Sequence, residues 1–427
     1  HPLSPAVGDS FLTLDDLPPG RKTVLLRVDI NSSLNPETGA LLDDTRIRRH
    51  AATVELLADA GAKVAILAHQ SRPGLLDCTP LKRHARLLAH LLDRPIEFIP
   101  DIHGELAQDA IRELQPGEVV MLDNVRFDPE EVAVKAWDGE GFAPQADTAL
   151  VRNLAPLADM FVNDAFAAAH RCQPSLVGFT EVLPMATGLV MERELRKLGG
   201  AIADGPAPRI ALLGGNKAAD AIAIAHHFLS QGVDEVLTGG VVANLFLMAD
   251  GVDIGEPSTA YIRDHVADWE QIVSDAGTLR KEFGDRLMVP VDIAVSDGGR
   301  RHGLPVSELP TKHPVHDIGL ETLVAYLQCI ERAGTVIANG PMGVFENPEF
   351  AAGTREIFTA MANSDALTVV GGGETAMAFT QMGLADRVNH VSTGGGACIA
   401  FMSGRVMPVL EALRHSKRRF DEGGYDK

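Results

Sequence analysis

The chain has 427 residues, more than one ordinary hydrophobic core accommodates, and its 45% hydrophobic and 22% charged residues are an ordinary globular balance, so two domains are expected. Its 38 basic and 58 acidic side chains leave a formal charge of −20, which argues against nucleic acid or a membrane surface as a partner, since both call for a basic face. Four scattered cysteines without a CxxC pair suggest neither a zinc site nor a disulfide framework, no apolar run approaches the ~20 residues of a membrane span, and "HPLSPAVGDS" lacks the parts of a secretory signal, so a reducing cytoplasm is expected.

Short β-branched runs at 24–28, 64–68, 119–122 and 160–162 predict strands. Between them, "TRIRRHAATVELLADAG", "PLKRHARLLAHLL" and "GELAQDAIREL" predict helices. In the first of these Ile47, Val54 and Leu57 share a face, and Gly61 supplies the stop. A helix over 188–198 and then a Gly/Pro linker up to residue 208 separate the two halves. Further strands are predicted at 210–213, 235–237, 288–291, 335–338, 367–370 and 390–391, again alternating with helices. Such alternation predicts an α/β protein with parallel sheets and helices on both faces.

The two halves end their strands differently. First-half strands run into polar groups, "RVDIN", "LAHQSR", "LDNVRF" and "VNDAF"; second-half strands run into glycines, "LLGG", "LTGG", "ANGP", "VVGGG" and "HVSTGGG". Ligands of open parallel sheets bind beyond the carboxyl ends of the strands, so one basic and one glycine-lined crevice are predicted. Asp29, Asn31, Arg46, His69, Arg72, Arg126, His170 and Arg171 would converge on the first. Several Arg and His groups in one cleft repel unless an anion joins them, and a phosphate or carboxylate accepts from the Arg forks in pairs. Singly, each Arg reads as a solvated helix-end residue or the partner of a local Asp; the set at matching positions favours the ligand.

In the second half, "GGGETAMAF" and "TGGGACIAFM" place three glycines between a strand and a helix, where backbone N–H groups and the helix dipole attract phosphate. Glycines also serve tight turns, so one loop alone says little. With "LLGGNK" and "LTGGVVANLF" in the same half, a phosphate-binding crevice is expected. No GxxxxGK[ST] or GxGxxG motif is present, which disfavours a P-loop enzyme or a Rossmann dehydrogenase. Lys217 is either a solvated helix-start residue or the cation that meets a phosphoryl group. Glu346 and Glu374 are either carboxylates favoured by helix dipoles, or contacts to ribose hydroxyls and a magnesium ion; spacing leaves both open.

In order from about residue 20 to 405, "RVDIN", "DDTRI", "HQSRPG", "NVRF", "NDAFAAAHR", "LLGGNK", "GGVVANLF", "DIGLET", "NGPMGVFE", "GGGET" and "HVSTGGG" resemble the phosphoglycerate kinase family. The resemblance implies two Rossmann-like domains, each a parallel sheet flanked by helices, joined by a helix and hinge. Residues 1–187, with 408–427 returning, would bind phosphoglycerate; 188–208 would form the interdomain helix and linker; 209–407 would bind Mg2+ with ADP or ATP. Carried over, Asp29, Asn31, Arg46, His69, Arg72, Arg126, His170 and Arg171 would hold the triose. Gly214, Lys217, Gly239, Gly240, Asn339, Glu346, Gly373, Glu374 and Thr375 would hold the nucleotide, with Glu346 on the ribose and Glu374 on the metal. Arg46, Lys217, Gly395 and Gly396 would act on the phosphoryl group passing between 1,3-bisphosphoglycerate and ADP. Monomer and homodimer both remain open.

Departures from the family pattern are "HQSRPG" for the usual "HLGRP", "FAAA" for "FGTA", and "VIANGP" without the tryptophan of "WNGP"; they resemble an archaeal branch. Ala221 stands where many members carry a second lysine, which puts the α-phosphate contact in question. That loss is also the best support for a rival reading, a non-catalytic anion- or nucleotide-binding protein on the same scaffold.

Overall fold

The computed structural model describes residues 10–134 and 136–425, and these fall into two compact units. One holds the described residues up to Arg196 together with those from Val406 onward; the other is Lys197–Arg405. Apart from Ser10, the opening segment considered above lies outside the described residues.

The first unit is built on six strands: β1 (Thr23–Arg27), β2 (Lys63–Leu67), β3 (Ile96–Phe98), β4 (Val119–Met121), β5 (Met160–Asn163) and β6 (Met185–Thr187). They lie in the order β3-β4-β2-β1-β5-β6, every pair parallel. Central strands such as β1, TVLLR, are buried almost throughout, as expected of a sheet covered on both faces. β3 and β6 escaped the sequence because three residues, "IEF" and "MAT", show no period. Helices Thr45–Asp59, Lys82–Leu92 and Glu105–Glu113 follow the predicted spans, and the first buries Ile47, Val54 and Leu57 as its periodicity requires. The closing helix Pro408–Asp421 packs on β6. Its Ser416 Oγ accepts from the Met185 N–H at 2.8 Å, and its Ala412 carbonyl accepts from Thr180 Oγ1 at 3.1 Å.

Asp164, directly after β5, is a fully buried anchor. One carboxylate oxygen accepts from His50 Nδ1 at 2.8 Å and Thr53 Oγ1 at 2.7 Å, on the helix Thr45–Asp59. The other accepts from the N–H groups of Val190 and Met191, at 2.8 and 3.3 Å, in the first turn of the helix that leaves this unit. That helix corrects the sequence reading. It does not give way to a linker at residue 199. It runs as Leu189–Glu194, a π turn over Leu195–Gly199, and Gly200–Asp204, stopping at Gly205. Burial of Leu198, Ala201 and Ile202 outweighs the ~1 kcal/mol helix penalty of each glycine, and the wide turn falls at the glycine pair.

The second unit has β7 (Arg209–Leu213), β8 (Glu235–Thr238) and β9 (Leu287–Met288), then a separate three-stranded antiparallel sheet of β10 (Asp292–Asp297), β11 (Arg300–Pro305) and β12 (Val315–Ile318). β13 (Thr335–Asn339), β14 (Leu367–Val370) and β15 (His390–Val391) complete a parallel sheet in the order β15-β14-β13-β7-β8-β9. The predicted strand over 288–291 is cut short, since Pro290 cannot donate to a ladder. The antiparallel sheet was not foreseen, although its hairpin is marked by Gly298 and Gly299, at φ 57° and 90°. β11, RRHGLP, is too polar and exposed to show an apolar period.

Among the described residues no disulfide is formed, and no helix is long and apolar enough to cross a membrane.

Candidate functional site

In the first unit, the residues singled out by sequence sit at the carboxyl ends of β1, β2, β4 and β5. The group at their base was missed. Arg27, the last residue of β1, is 1% exposed. Its Nε donates to Ser175 Oγ at 2.9 Å, Nη1 to the Val28 carbonyl at 2.6 Å, and Nη2 to His69 Nδ1 at 3.0 Å. Burial lowers its pKa to about 10, so it stays charged at neutral pH. Because Nδ1 of His69 accepts, the ring proton sits on Nε2. Burial first, and then the Arg27 charge, push the His69 pKa well below its ordinary value. The imidazole is therefore a neutral N–H donor held in one tautomer. A charged residue closing an apolar strand was the available signal for Arg27, since such a charge needs a designed partner.

Asp29 is buried, and burial alone would raise its pKa; the Arg46 and Arg27 charges hold it down at about 2. Its Oδ1 accepts from Arg46 Nη1 at 2.9 Å and from the Asn31 N–H at 3.1 Å. Arg46 is thus oriented by a local aspartate, with 37% of its side chain still exposed. Arg126 is 5% exposed; Nη1 donates to the Ser71 carbonyl at 3.1 Å, while its buried Nε has no hydrogen-bond partner. Burial, and after it the Arg171 charge, lower its pKa. Arg72 and Arg171 are exposed; His170 and Arg171 follow the short turn Phe166–Ala168 after β5. Glu131, another residue missed from sequence, is 1% exposed and accepts the Ser175 N–H at 2.9 Å. Burial raises it to about 7 against the pull of Arg27.

The loop "HQSRPG" accounts for its own departures. Ser71 has φ 61°, the left-handed region where the family pattern has glycine. Its N–H donates to Asn31 Oδ1 at 2.7 Å and its hydroxyl to Asp77, which hold it there. Gln70 is fully buried: its Oε1 accepts from the Ser32 N–H at 3.0 Å and from His84 Nε2 at 2.9 Å, and its Nε2 donates to the Ser32 carbonyl.

In the second unit the glycines divide into two kinds. Gly214, Gly239 and Gly240 pack three loops together. The Gly214 N–H donates to the Asn339 carbonyl at 2.9 Å, that of Gly215 to Pro341 at 2.8 Å, that of Gly239 to Leu213 at 3.1 Å, and that of Gly240 to Met342 at 2.8 Å. These donors are occupied, so here glycine serves close approach: a methyl on Gly214 would run into the Pro341 carbonyl. Gly340 has φ 93°, and a methyl there would meet the Gly214 backbone. Thr375, expected at the nucleotide, is buried with its hydroxyl accepting the Gly340 N–H at 2.7 Å, a latch between loop and helix. Asn339 Nδ2 donates to the Gly371 carbonyl at 2.8 Å.

The other kind opens helices. Gly373 begins Gly373–Gln381, and Gly395, at φ 52°, precedes Gly396 at the start of Gly396–Met402. First-turn N–H groups of a helix have no partner within it. Lys217 stands exposed immediately before helix Ala218–Ser230 and has no ion-pair partner among the described residues. One turn on, Ala221 is buried, 2% exposed, while its neighbour Asp220 pairs with Arg405 at 3.1 Å. The Ala221 side chain therefore faces the interior. Glu346 and Glu374 are exposed and border one cavity of about 340 Å³, together with Gly215, Asn216 and Gly240. Among the described residues no three His, Cys, Asp or Glu side chains are grouped to hold a metal.

A family model described as phosphoglycerate kinase matches residues 14–405. The curated phosphoglycerate kinase of Methanothermobacter thermautotrophicus is 47% identical over 412 residues, 96% of this chain and 98% of its own. That of Thermoplasma acidophilum is 41% identical over 414 residues, 97% and 100% of the two chains. Among solved structures, phosphoglycerate kinase from Pyrococcus horikoshii OT3 superposes with a TM-score of 0.80 at 39% identity, covering 96% of this chain and 100% of that one. The enzyme from Coxiella burnetii gives 0.79 at 30%, covering 94% and 98%.

Proposed function

The chain belongs to the phosphoglycerate kinase family, and from that premise we propose how its residues share the reaction. The reaction is the reversible glycolytic transfer of a phosphoryl group between 1,3-bisphosphoglycerate and ADP, giving 3-phosphoglycerate and ATP. A β-phosphate oxygen of ADP attacks the phosphorus of the acyl phosphate, and the bond to the carboxylate oxygen breaks. Nucleophile and leaving group are both anions at neutral pH, so no general base is needed. Catalysis then rests on positioning and on stabilising charge spread over the equatorial oxygens.

The first unit binds the triose. The observation that carries this is Arg126: a buried cation with an unpartnered Nε–H, beside the exposed Arg171, calls for an anion. Arg72, Arg126 and Arg171 hold the non-transferring phosphate. Asp29, Asn31, His69 and His170 complete the triose contacts. Arg46, oriented by Asp29, meets the transferring group. The second unit binds the nucleotide: Lys217 and the helix start at Gly395 and Gly396 meet the moving phosphoryl group, and Gly373 and Asn339 border the phosphates. Glu346 takes the ribose, while Gly214, Gly239, Gly240 and Thr375 hold the loops in register. An exposed carboxylate suits Mg2+, which keeps several waters and is bound by one or two carboxylates plus substrate phosphates. Glu374 would hold it, and the ion would neutralise charge on the nucleotide phosphates. We assign the enzyme to the cytoplasm.

A coupled assay of ATP formation from 1,3-bisphosphoglycerate and MgADP tests the assignment. Robust turnover is expected. Nucleotide binding without turnover would favour the non-catalytic reading that Ala221 raised.

A further inference from the structure

Within the nucleotide assignment above, on which this inference rests, the cavity of about 340 Å³ in the second unit holds a polar side chain with no partner. Asn244 lies on helix Gly240–Ala249, one turn beyond Gly240, is 5% exposed, and lines that cavity. Its side-chain amide takes up no partner among the described residues and is not sealed off, so it opens onto the cavity. Other buried asparagines here are satisfied. Asn124 Nδ2 donates to the Gln70 and Thr79 carbonyls while its Oδ1 accepts from the Gln70 and Arg126 N–H groups. Asn163 donates to the Leu176 carbonyl and accepts from the Ala165 N–H. Those amides are spent on the fold, whereas one that opens onto a cavity without a protein partner is free to meet a ligand.

The surroundings suit a flat aromatic base. Val241, Pro257, Tyr261 and Val344 supply apolar wall. His316 lines the same space, its ring edge-on to Phe350 at 5.0 Å and its buried Nδ1 unpartnered. Burial lowers its pKa, so the ring is neutral at physiological pH. The cavity also touches Glu346 and Glu374, assigned above to the ribose and the metal, so a base placed here is joined to the rest of the nucleotide.

We propose that Asn244 reads the edge of the purine base, its Oδ1 accepting from an exocyclic amine and its Nδ2 donating to the adjacent ring nitrogen. An amide presents one acceptor beside two donors, and adenine presents an amine beside a ring acceptor, so the two match in a bidentate pair. Asn244 is then the residue that makes an aminopurine the preferred base.

The test titrates the whole enzyme by calorimetry with MgADP and with the magnesium complex of purine riboside 5′-diphosphate, which lacks only the amine. The wild-type enzyme should bind ADP about 10-fold more tightly, the order expected for losing a hydrogen bond and stranding its buried acceptor. In Asn244→Leu, similar in shape, ADP should weaken about 10-fold and the purine analogue much less, so that the ratio falls towards one. Asn244→Asp keeps an acceptor for the amine and should retain discrimination; it also serves if the leucine variant fails to fold. Persistent discrimination in Asn244→Leu, or its loss in Asn244→Asp, overturns the proposal. Equal binding of both nucleotides by the wild type removes this inference alone, whereas binding of neither removes the nucleotide assignment itself.

Discussion

Replacing Arg126 by methionine should move affinity and stability in unequal measure. In the ligand-free enzyme this guanidinium is 5% exposed, has one recorded side-chain bond, Nη1 to the Ser71 carbonyl, and keeps Nε without a partner. Methionine gives up that charged hydrogen bond, worth roughly 1.5–3 kcal/mol, but relieves the burial of a cation and its repulsion from Arg171, the two causes that lower its pKa. These contributions oppose each other, so the net change in ligand-free stability should stay within about 1 kcal/mol. Binding has no such offset. A phosphate loses at least one charge-assisted bond to the idle Nε–H, again roughly 1.5–3 kcal/mol, or about 10- to 150-fold in Kd. Calorimetry with 3-phosphoglycerate and thermal unfolding with and without it measure both quantities. A variant that unfolds more than about 2 kcal/mol more easily yet binds 3-phosphoglycerate normally would refute the reasoning and make Arg126 a structural residue.

Lys217→Ala should lower kcat by about 100-fold or more while weakening MgADP binding far less, because the charge acts where negative charge develops; equal losses in steady-state kinetics and calorimetry would contradict that role. Glu131 is raised to about 7 from 4.5, so between those values the folded protein binds more protons than the unfolded chain, and stability falls as pH rises. Glu131→Gln should therefore be stable relative to wild type by roughly 2–3 kcal/mol more at pH 8 than at pH 5, read from urea unfolding at both; a difference independent of pH would place the carboxyl's titration elsewhere. Gly340→Ala meets both a left-handed φ of 93° and the Gly214 backbone. It should cost about 2 kcal/mol or more and weaken MgADP binding, and wild-type values for both would show that these loops can part freely.

The alternation of apolar runs with helical periods made both parallel sheets legible, because strands covered on two faces stay apolar along their length. The edge strands β3 and β6 and the half-exposed sheet of β10, β11 and β12 carried no such pattern. Sequence also placed Asp29 and His69 at strand ends, Arg126 just after one, and Arg46 at the start of a helix. It could not rank them, since rank depends on burial: Arg126 is nearly enclosed, while Arg72 and Arg171 are exposed. Arg27 and Glu131 were hidden because their significance lies in each other and in Ser175, residues 148 positions from Arg27 and 44 from Glu131. The glycines were over-read in one respect. Those of "LLGG" and "LTGG" have their N–H groups taken by neighbouring loops, which only the fold reveals.

The bond between Gln70 and His84 bears on how such a sequence can change. Leucine at 70, the commoner family residue, would strand the Ser32 N–H and the Nε2–H of His84, a ring that burial already holds near a pKa of 4. A small apolar residue at 84 with Gln70 kept would strand the glutamine oxygen in part. Leucine at 70 therefore costs less when the histidine at 84 is replaced with it than when that histidine stays. Positions 70 and 84 form an epistatic unit, and grafting the loop from a relative carrying "HLGRP" should succeed only when the helix residue travels with it.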